Sequence, residues 1–121
     1  LRDIQQKLYA QQESIVIRGL EYIRPTRLQD ILYFEGTSQR HVIIHTRQWD
    51  AECLGKLSDY ETELQGQGFL RIQRSFLVNM FHIELIKNYH VQLSNGKELK
   101  VSERRYGSIT SQYLMWRGRH S

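Results

Sequence analysis

The chain has 121 residues, 40% of them hydrophobic, with one proline, eight glycines and a net charge of +4, a composition that predicts one compact domain and excludes fibrous and disordered classes. Its single cysteine, Cys53, excludes an intrachain disulfide and a four-cysteine zinc site. Because no apolar run is long enough to cross a membrane and the first residues lack the apolar core of a signal peptide, we expect a soluble, cytoplasmic protein without membrane contact.

The net excess of positive charge lies entirely in the second half of the chain. Residues 1–60 carry 8 Lys/Arg and 8 Asp/Glu, whereas residues 61–121 carry 9 and 5, a balance of 0 against +4. Clustered basic side chains can replace counterions on a polyanion. A solubilising surface explains the same charge, and on charge alone it is the better explanation.

The first residues differ in pattern from the rest. Leu1, Ile4 and Leu8 stand at helical spacing among polar residues, which predicts a short helix with a narrow apolar stripe. A stripe this short needs a surface to dock against. We interpret residues 1–13 as a helical linker from a preceding domain and residues 14–121 as the folded domain.

From Ser14 onward the sequence alternates like a series of short strands. β-Branched and aromatic residues are concentrated in eight segments separated by polar breaks. These segments are 14–19, 21–26, 31–36, 41–46, 48–53, 69–73, 84–93 and 97–101. The pair Asn95-Gly96 predicts a hairpin turn before the last one.

Two helices complete the prediction. Residues 54–65 have helical apolar spacing and are followed by Gly66 and Gly68, which end a helix. A C-terminal helix is predicted after Ser102, a good N-cap residue. The fold class is therefore mainly β with short helices.

Catalytic and metal-binding patterns are not found in the sequence. His41 and His45 are four residues apart on one predicted strand, too far apart to share an ion. There is no nucleophile elbow, cysteine-protease signature or glycine-rich phosphate loop. We predict no enzyme activity, metal or cofactor.

Two stretches of the chain resemble a known family. FLRIQRSFLVNMFHIELI, followed by VQLSNGKELKVSERRY, resembles the LytTR signature of a basic-Ser-aromatic-x-Val-Asn segment, an Asn-Gly hairpin and a Val-Ser-Arg segment. Upstream, LQDILYFEGTSQRHVIIHT resembles the family's Asp-Ile-x-Tyr-Ile-Glu strand and the polar turn after it. The resemblance covers roughly residues 16–116.

The resemblance implies both a fold and a function. The fold would be the elongated β-β-β arrangement of three small antiparallel sheets, with one helix between sheets and a C-terminal helix. The function would be sequence-specific binding of double-stranded promoter DNA by the effector domain of a two-component response regulator, whose loops read successive major grooves. The family also implies an upstream receiver domain and a homodimer on direct-repeat sites.

The resemblance assigns roles to three polar segments. The residues predicted to contact bases are His41, Arg74 and Arg104. Those predicted to contact the DNA backbone or support the readers are Ser38, Gln39, Arg40, Arg71, Gln73, Ser75, Lys100, Ser102 and Arg105. Arg104 suits a bidentate contact with guanine. Glu103 departs from a purely basic loop, so it would either pair with a neighbouring arginine or repel phosphate.

Asn79 matches the family's most recognisable asparagine, and we predict for it a structural role in which its side chain binds backbone groups. Two alternative functions stay open. A single-stranded nucleic-acid binder would need exposed aromatic side chains beside the basic face. A protein-interaction module would use the terminal helices, and its basic surface would be incidental.

Overall fold

The structure, a computed structural model, describes residues 13–120, which form three antiparallel sheets and two α-helices. The predicted linker lies outside the described residues except for Glu13. The strands are β1 Ser14–Arg18, β2 Ile23–Arg27, β3 Ile31–Gly36, β4 His41–Thr46, β5 Asp50–Leu54, β6 Phe69–Gln73, β7 Phe76–Asn79, β8 Ile83–Lys87, β9 His90–Leu93 and β10 Glu98–Lys100. The helices are α1 Leu57–Glu63 and α2 Tyr106–Arg119.

A five-stranded sheet lies at the centre of the fold, with strand order β5-β4-β3-β7-β6. The hairpin β1-β2 and the three-stranded sheet β10-β9-β8 form the other two sheets. An isolated bridge between Gly19 and Cys53 joins the hairpin to the β5 edge of the central sheet. The predicted fold class, mainly β with three small antiparallel sheets and two helices, is confirmed.

Each face of the central sheet is covered by a separate core. Phe34, Ile44 and Leu77 point to one face, where they pack with Ile17 of the hairpin and Leu57 of α1. The opposite face packs against the three-stranded sheet and α2 through the side chains Ile72, Val78, Val91, Leu99, Ile109 and Trp116. Alternate burial along β4 follows from the two-residue period of a strand. Burial of apolar area on both faces holds the strand ends in place.

The prediction of one strand over residues 84–93 is wrong. Asn88 and Tyr89 both have positive φ, 51° and 61°, and form a two-residue turn between β8 and β9. Asparagine tolerates this conformation, but a tyrosine at the second position is no turn signal, so the hairpin escaped sequence analysis. Strand β7 was also missed, because it is only four residues long and directly adjoins the turn at Arg74-Ser75 on one side and the 3-10 turn Met80–His82 on the other.

Both helices begin later than predicted. Helix α1 begins at Leu57 rather than at residue 54, since Leu54 still pairs with His41 in the sheet. Helix α2 begins at Tyr106, and Ser102 is not its N-cap. The backbone N–H of Ser102 instead donates to the carbonyl of Ile72 at 2.9 Å, which keeps this residue in an extended connection.

Candidate nucleic-acid interface

Two of the predicted reading segments emerge at the same end of the central sheet. The turn between β3 and β4 spans residues 37–40, and the turn between β6 and β7 is Arg74-Ser75. Because β3 pairs antiparallel with β7, with Glu35 opposite Phe76, both turns lie at one end. The N–H of Gly36 donates to the carbonyl of Ser75 at 2.8 Å and joins the two turns.

The third predicted reading segment follows strand β10 of the three-stranded sheet and is hydrogen-bonded to the same end of the central sheet. The side-chain amide of Gln73 donates to the carbonyl of Lys100 at 2.8 Å. The bond from Ser102 to Ile72 lies beside it. These contacts bring three loops together, residues 37–41, 73–75 and 100–105, and we call this surface the loop end.

The first turn has a fixed backbone. The Thr37 hydroxyl donates to the carbonyl of His41 at 3.1 Å and accepts from the N–H groups of Gln39 and His41, both at 3.3 Å. Arg40 adopts a left-handed φ of 61°, and its carbonyl accepts from the N–H of Gly55. The side chains of Ser38, Gln39 and Arg40 are exposed. The turn therefore presents polar groups from a defined backbone.

His41 is oriented by a neighbouring strand. Its Nδ1 lies 2.5 Å from Oε1 of Glu52 on β5, and its side chain is 26% exposed. An ionised carboxylate only accepts hydrogen bonds, so Nδ1 carries the proton in this contact. The other ring nitrogen, Nε2, makes no hydrogen bond within residues 13–120 and is available for a ligand.

Arg71 and Arg74 are close in sequence but differ in environment. Three hydrogen bonds run from the Arg71 guanidinium to the carbonyls of Gln73 and Arg74, and a fourth, of 2.9 Å, to the Glu61 carboxylate on α1. The Arg71 side chain is only 19% exposed and clamps the turn. Arg74 is exposed, and in the described part of the chain its side chain has no hydrogen bond or carboxylate partner. Of the two, only Arg74 is suited to bind a ligand.

The third loop carries the densest positive charge. Lys100, Arg104 and Arg105 are exposed, and the turn at residues 103–105 leads into α2. Glu103 forms no ion pair with another described residue. The orienting ion pair considered from sequence is therefore not seen, and the two arginines keep their charge for a partner.

Asn79 lies far from these loops, at the opposite end of β7. Its amide donates to the carbonyls of Leu28 and Ile31 at 3.1 and 2.9 Å, and its side-chain oxygen accepts from the N–H of Phe81. The side chain is buried, with 2% exposure. It ties the start of β3 to the end of β7, which is a backbone-binding role.

Sequence analysis missed one element beside the loop end, the turn between β8 and β9. The N–H of Val101 donates to the carbonyl of Tyr89 at 2.8 Å, so this turn adjoins the third loop. The Tyr89 ring packs on Tyr106 at a centroid distance of 4.5 Å and remains 46% exposed. Because residues 84–93 read as one strand, no sequence signal placed this tyrosine near the loop.

Other chemistry is poorly supported by the described residues. Within residues 13–120, no three His, Cys, Asp or Glu side chains are grouped as a metal site would require. Over the same residues, no helix has the length and apolar character needed to span a membrane. Cys53 is buried, and burial raises the pKa of its thiol, which disfavours the nucleophilic thiolate.

A β-fold that displays exposed basic turns from one end is typical of a nucleic-acid-binding domain. A family profile described as the LytTr DNA-binding domain matches residues 21–113, and the chain therefore belongs to the LytTR DNA-binding domain family.

Curated relatives agree with this membership. The transcriptional regulatory protein LytR of Staphylococcus aureus strain N315 is 30% identical over 94 residues, which is 74% of this chain and 38% of that protein. The sensory transduction protein LytR of Staphylococcus saprophyticus is 35% identical over 75 residues, covering 60% of this chain and 30% of that protein. The chain thus spans less than half the length of either relative.

The structural comparison supports the same fold. The LytTr DNA-binding domain of a Bacillus cereus response regulator superposes with a TM-score of 0.69 at 22% identity. The match covers 84% of this chain and 95% of that chain.

Proposed function

We propose that this domain binds double-stranded DNA with sequence specificity and that its loop end enters the major groove, as the effector domain of a transcription regulator. One observation carries the proposal: three basic loops from separate parts of the chain are hydrogen-bonded to each other at one end of the fold. A surface fixed in this way can present several cations to phosphates and base edges together without ordering them on binding.

We assign base reading to one side chain from each loop, namely His41, Arg74 and Arg104. Arg104 is suited to donate to O6 and N7 of one guanine. Arg74 would insert from the second loop, where Arg71 holds the backbone beneath it. Arg40, Lys100 and Arg105 would contact phosphates, which adds affinity without selecting a sequence.

The contact with Glu52 determines what His41 can recognise. With the proton on Nδ1, Nε2 of the neutral ring accepts a hydrogen bond, which suits the amino groups of adenine N6 or cytosine N4. Glu52→Leu removes the acceptor that orients the ring, so it should weaken the preference at one base position while the salt dependence stays the same.

Duplex DNA is a better candidate than single-stranded nucleic acid. Stacking platforms use several exposed aromatic rings along a basic groove. Beside the loop end, the described residues offer one large exposed aromatic side chain, that of Tyr89. Tyr106 covers part of its ring. The loop tips themselves are polar and cationic, as groove contacts require.

A fluorescence titration tests the proposal. The chain is titrated with promoter-like duplexes, randomised duplexes and the corresponding single strands at two salt concentrations. We expect tighter binding to a subset of duplexes and a preference that survives added salt, since salt weakens the phosphate contacts most. Equal binding to all sequences that salt abolishes, or no binding, would favour the protein-interaction alternative.

We also propose that the full-length protein joins this domain to a receiver domain and binds direct repeats as a homodimer. The greater length of the relatives supports an additional domain. Titrations with duplexes that carry one or two copies of the preferred site distinguish a homodimer from independently bound monomers. Cooperative binding of two protomers to the repeat supports the dimer, and independent binding contradicts it.

A further inference from the structure

A cavity of about 510 Å³ lies at the end of the central sheet opposite the loop end. Strand directions establish this position, since Phe69 begins β6 and Asn79 ends β7 there, while the other ends of both strands lead to Arg74 and Ser75. Its walls come from residues Leu28, Arg47, Gly68, Phe81, Trp116 and His120. The volume suits a few side chains rather than a folded domain.

The cavity offers apolar and aromatic surface. Phe81 is 58% exposed and meets Trp116 edge to face at 4.9 Å, while His120 stacks on Trp116 at 4.7 Å and also meets Phe81 at 6.2 Å. Its buried polar groups are already satisfied: His82 contacts the carbonyl of Gln29 and the hydroxyl of Ser94. No buried side-chain polar atom in residues 13–120 lacks a partner. Because this aromatic wall lies beside the polar side chains of Gln29, Arg47 and Gln67, an amphipathic segment with an apolar stripe fits the cavity better than a polar metabolite.

The nearest candidate occupant is the start of this same chain. Glu13 lines the cavity, and its carbonyl accepts from the N–H of Leu28 at 2.9 Å, which fixes the chain at the rim. Residues 1–12 join the fold at this point and carry Leu1, Ile4 and Leu8 at helical spacing. Leu8 is five residues from Glu13, so it reaches the cavity in either helical or extended form.

We propose that residues 1–12 dock with their apolar stripe in this cavity, against Phe81 and Trp116. Docking covers the exposed ring of Phe81 and the stripe together, which removes apolar area from water on both partners. Because the cavity and the loop end lie at opposite ends of the sheet, the docked segment leaves the DNA-binding loops accessible. The docked segment would also set the direction from which a preceding domain approaches.

Leu8→Asp and Gln6→Asp test the proposal in the intact 121-residue chain. Both add one negative charge, but on a helix Gln6 lies opposite the stripe. Amide hydrogen exchange of residues 1–12 is measured by mass spectrometry and corrected for the sequence change. Leu8→Asp should speed exchange by at least about tenfold, because burial of one leucine is worth that factor or more. Gln6→Asp should leave the corrected rates unchanged.

Acrylamide quenching of Trp116 in a Trp49→Phe background provides a second measurement. Leu8→Asp should make Trp116 more accessible to the quencher, and Gln6→Asp should not. Equal behaviour of both variants and the parent chain would overturn the proposal. So would protection that depends on protein concentration, which would mean that a second copy fills the cavity. DNA affinity should be the same in all three chains, so this test is independent of the proposed function.

Discussion

The side-chain amide of Gln73 donates a 2.8 Å hydrogen bond to the backbone carbonyl of Lys100, across the boundary between the central and three-stranded sheets. Gln73 ends β6 and Lys100 ends β10. One hydrogen bond therefore sets the second loop against the third. Its loss should affect DNA binding as well as stability.

Gln73→Met keeps the length of the side chain but removes the donor. We expect a loss of about 0.5–1.5 kcal/mol of unfolding free energy and a weaker preference for the favoured DNA sequence, because the two loops lose a shared contact. Urea titration and DNA titration measure the two effects. Gln92→Met, at a half-buried position on β9, is the matched control. Equal losses in both variants would contradict the linking role.

The two arginines of the second loop should separate stability from binding. Arg71→Gln removes the clamp to Glu61 and to the turn carbonyls, so we expect a loss of about 1–3 kcal/mol in unfolding free energy. Arg74→Gln should leave the melting temperature unchanged and relax the preference at one base position, as expected of an arginine that reads a base. A large stability loss in Arg74→Gln would refute this division.

In the third loop, Arg104 and Arg105 should differ in what they recognise. Arg104→Ala should cost about 1–3 kcal/mol of binding and relax the preference at one base position. Arg105→Ala should weaken binding to all DNA sequences alike and reduce the salt dependence of that binding. Selection from a randomised duplex library measures both. An unchanged base preference in Arg104→Ala would remove Arg104 from the base-reading set.

Buried His82 should make folding sensitive to mild acid. Burial lowers its pKa below the ordinary value of 6.5, so the unfolded chain binds this proton more readily than the folded one. Its contribution to stability is complete above pH 6.5 and decreases as the pH falls from 6.5 through the folded-state pKa. Urea unfolding at pH 7.5 and 5.5 should show a larger loss in the parent chain than in His82→Gln. Equal losses would contradict this sign.

Gly68 should be more sensitive to substitution than its near neighbour Gly66. Both have positive φ, 88° and 80°, but only at Gly68 would a Cβ meet Trp116, 3.3 Å from its Nε1. An alanine at either position costs about 1 kcal/mol of unfolding free energy, because its Cβ is strained in the left-handed conformation. Gly68→Ala also displaces Trp116. Thermal melting should rank Gly68→Ala below Gly66→Ala, and the reverse order would argue against the contact.

Most of the fold was predictable because its strands are short, alternating and separated by recognisable turns. The strand over residues 69–73 was placed at its observed bounds for this reason. The hairpin at Asn88-Tyr89 was not, because tyrosine gives no sign of a positive φ. Helix α2 starts late because Ser102 bonds to Ile72, a residue far away in sequence, and no local pattern reports such a contact.

The family resemblance assigned both the candidate site and the separate roles of Arg71 and Arg74 from sequence, but the contacts behind those roles were not predictable. Arg71 and Arg74 are the same residue type three positions apart. Their environments differ because only the Arg71 guanidinium binds the carboxylate of Glu61 and the turn carbonyls. The same holds for His41, whose partner Glu52 is on another strand. Tertiary neighbours decide these roles.

The three loops belong to segments that are made at different times during synthesis, and the loop at residues 100–105 is made last. A nascent chain that has not yet released Val101 and Ser102 from the ribosome has neither the third loop nor its bond to Ile72. Such a chain holds basic residues but not their arrangement. Under the proposed function, such a chain would attract DNA without selecting a sequence, because its loops are not yet held together.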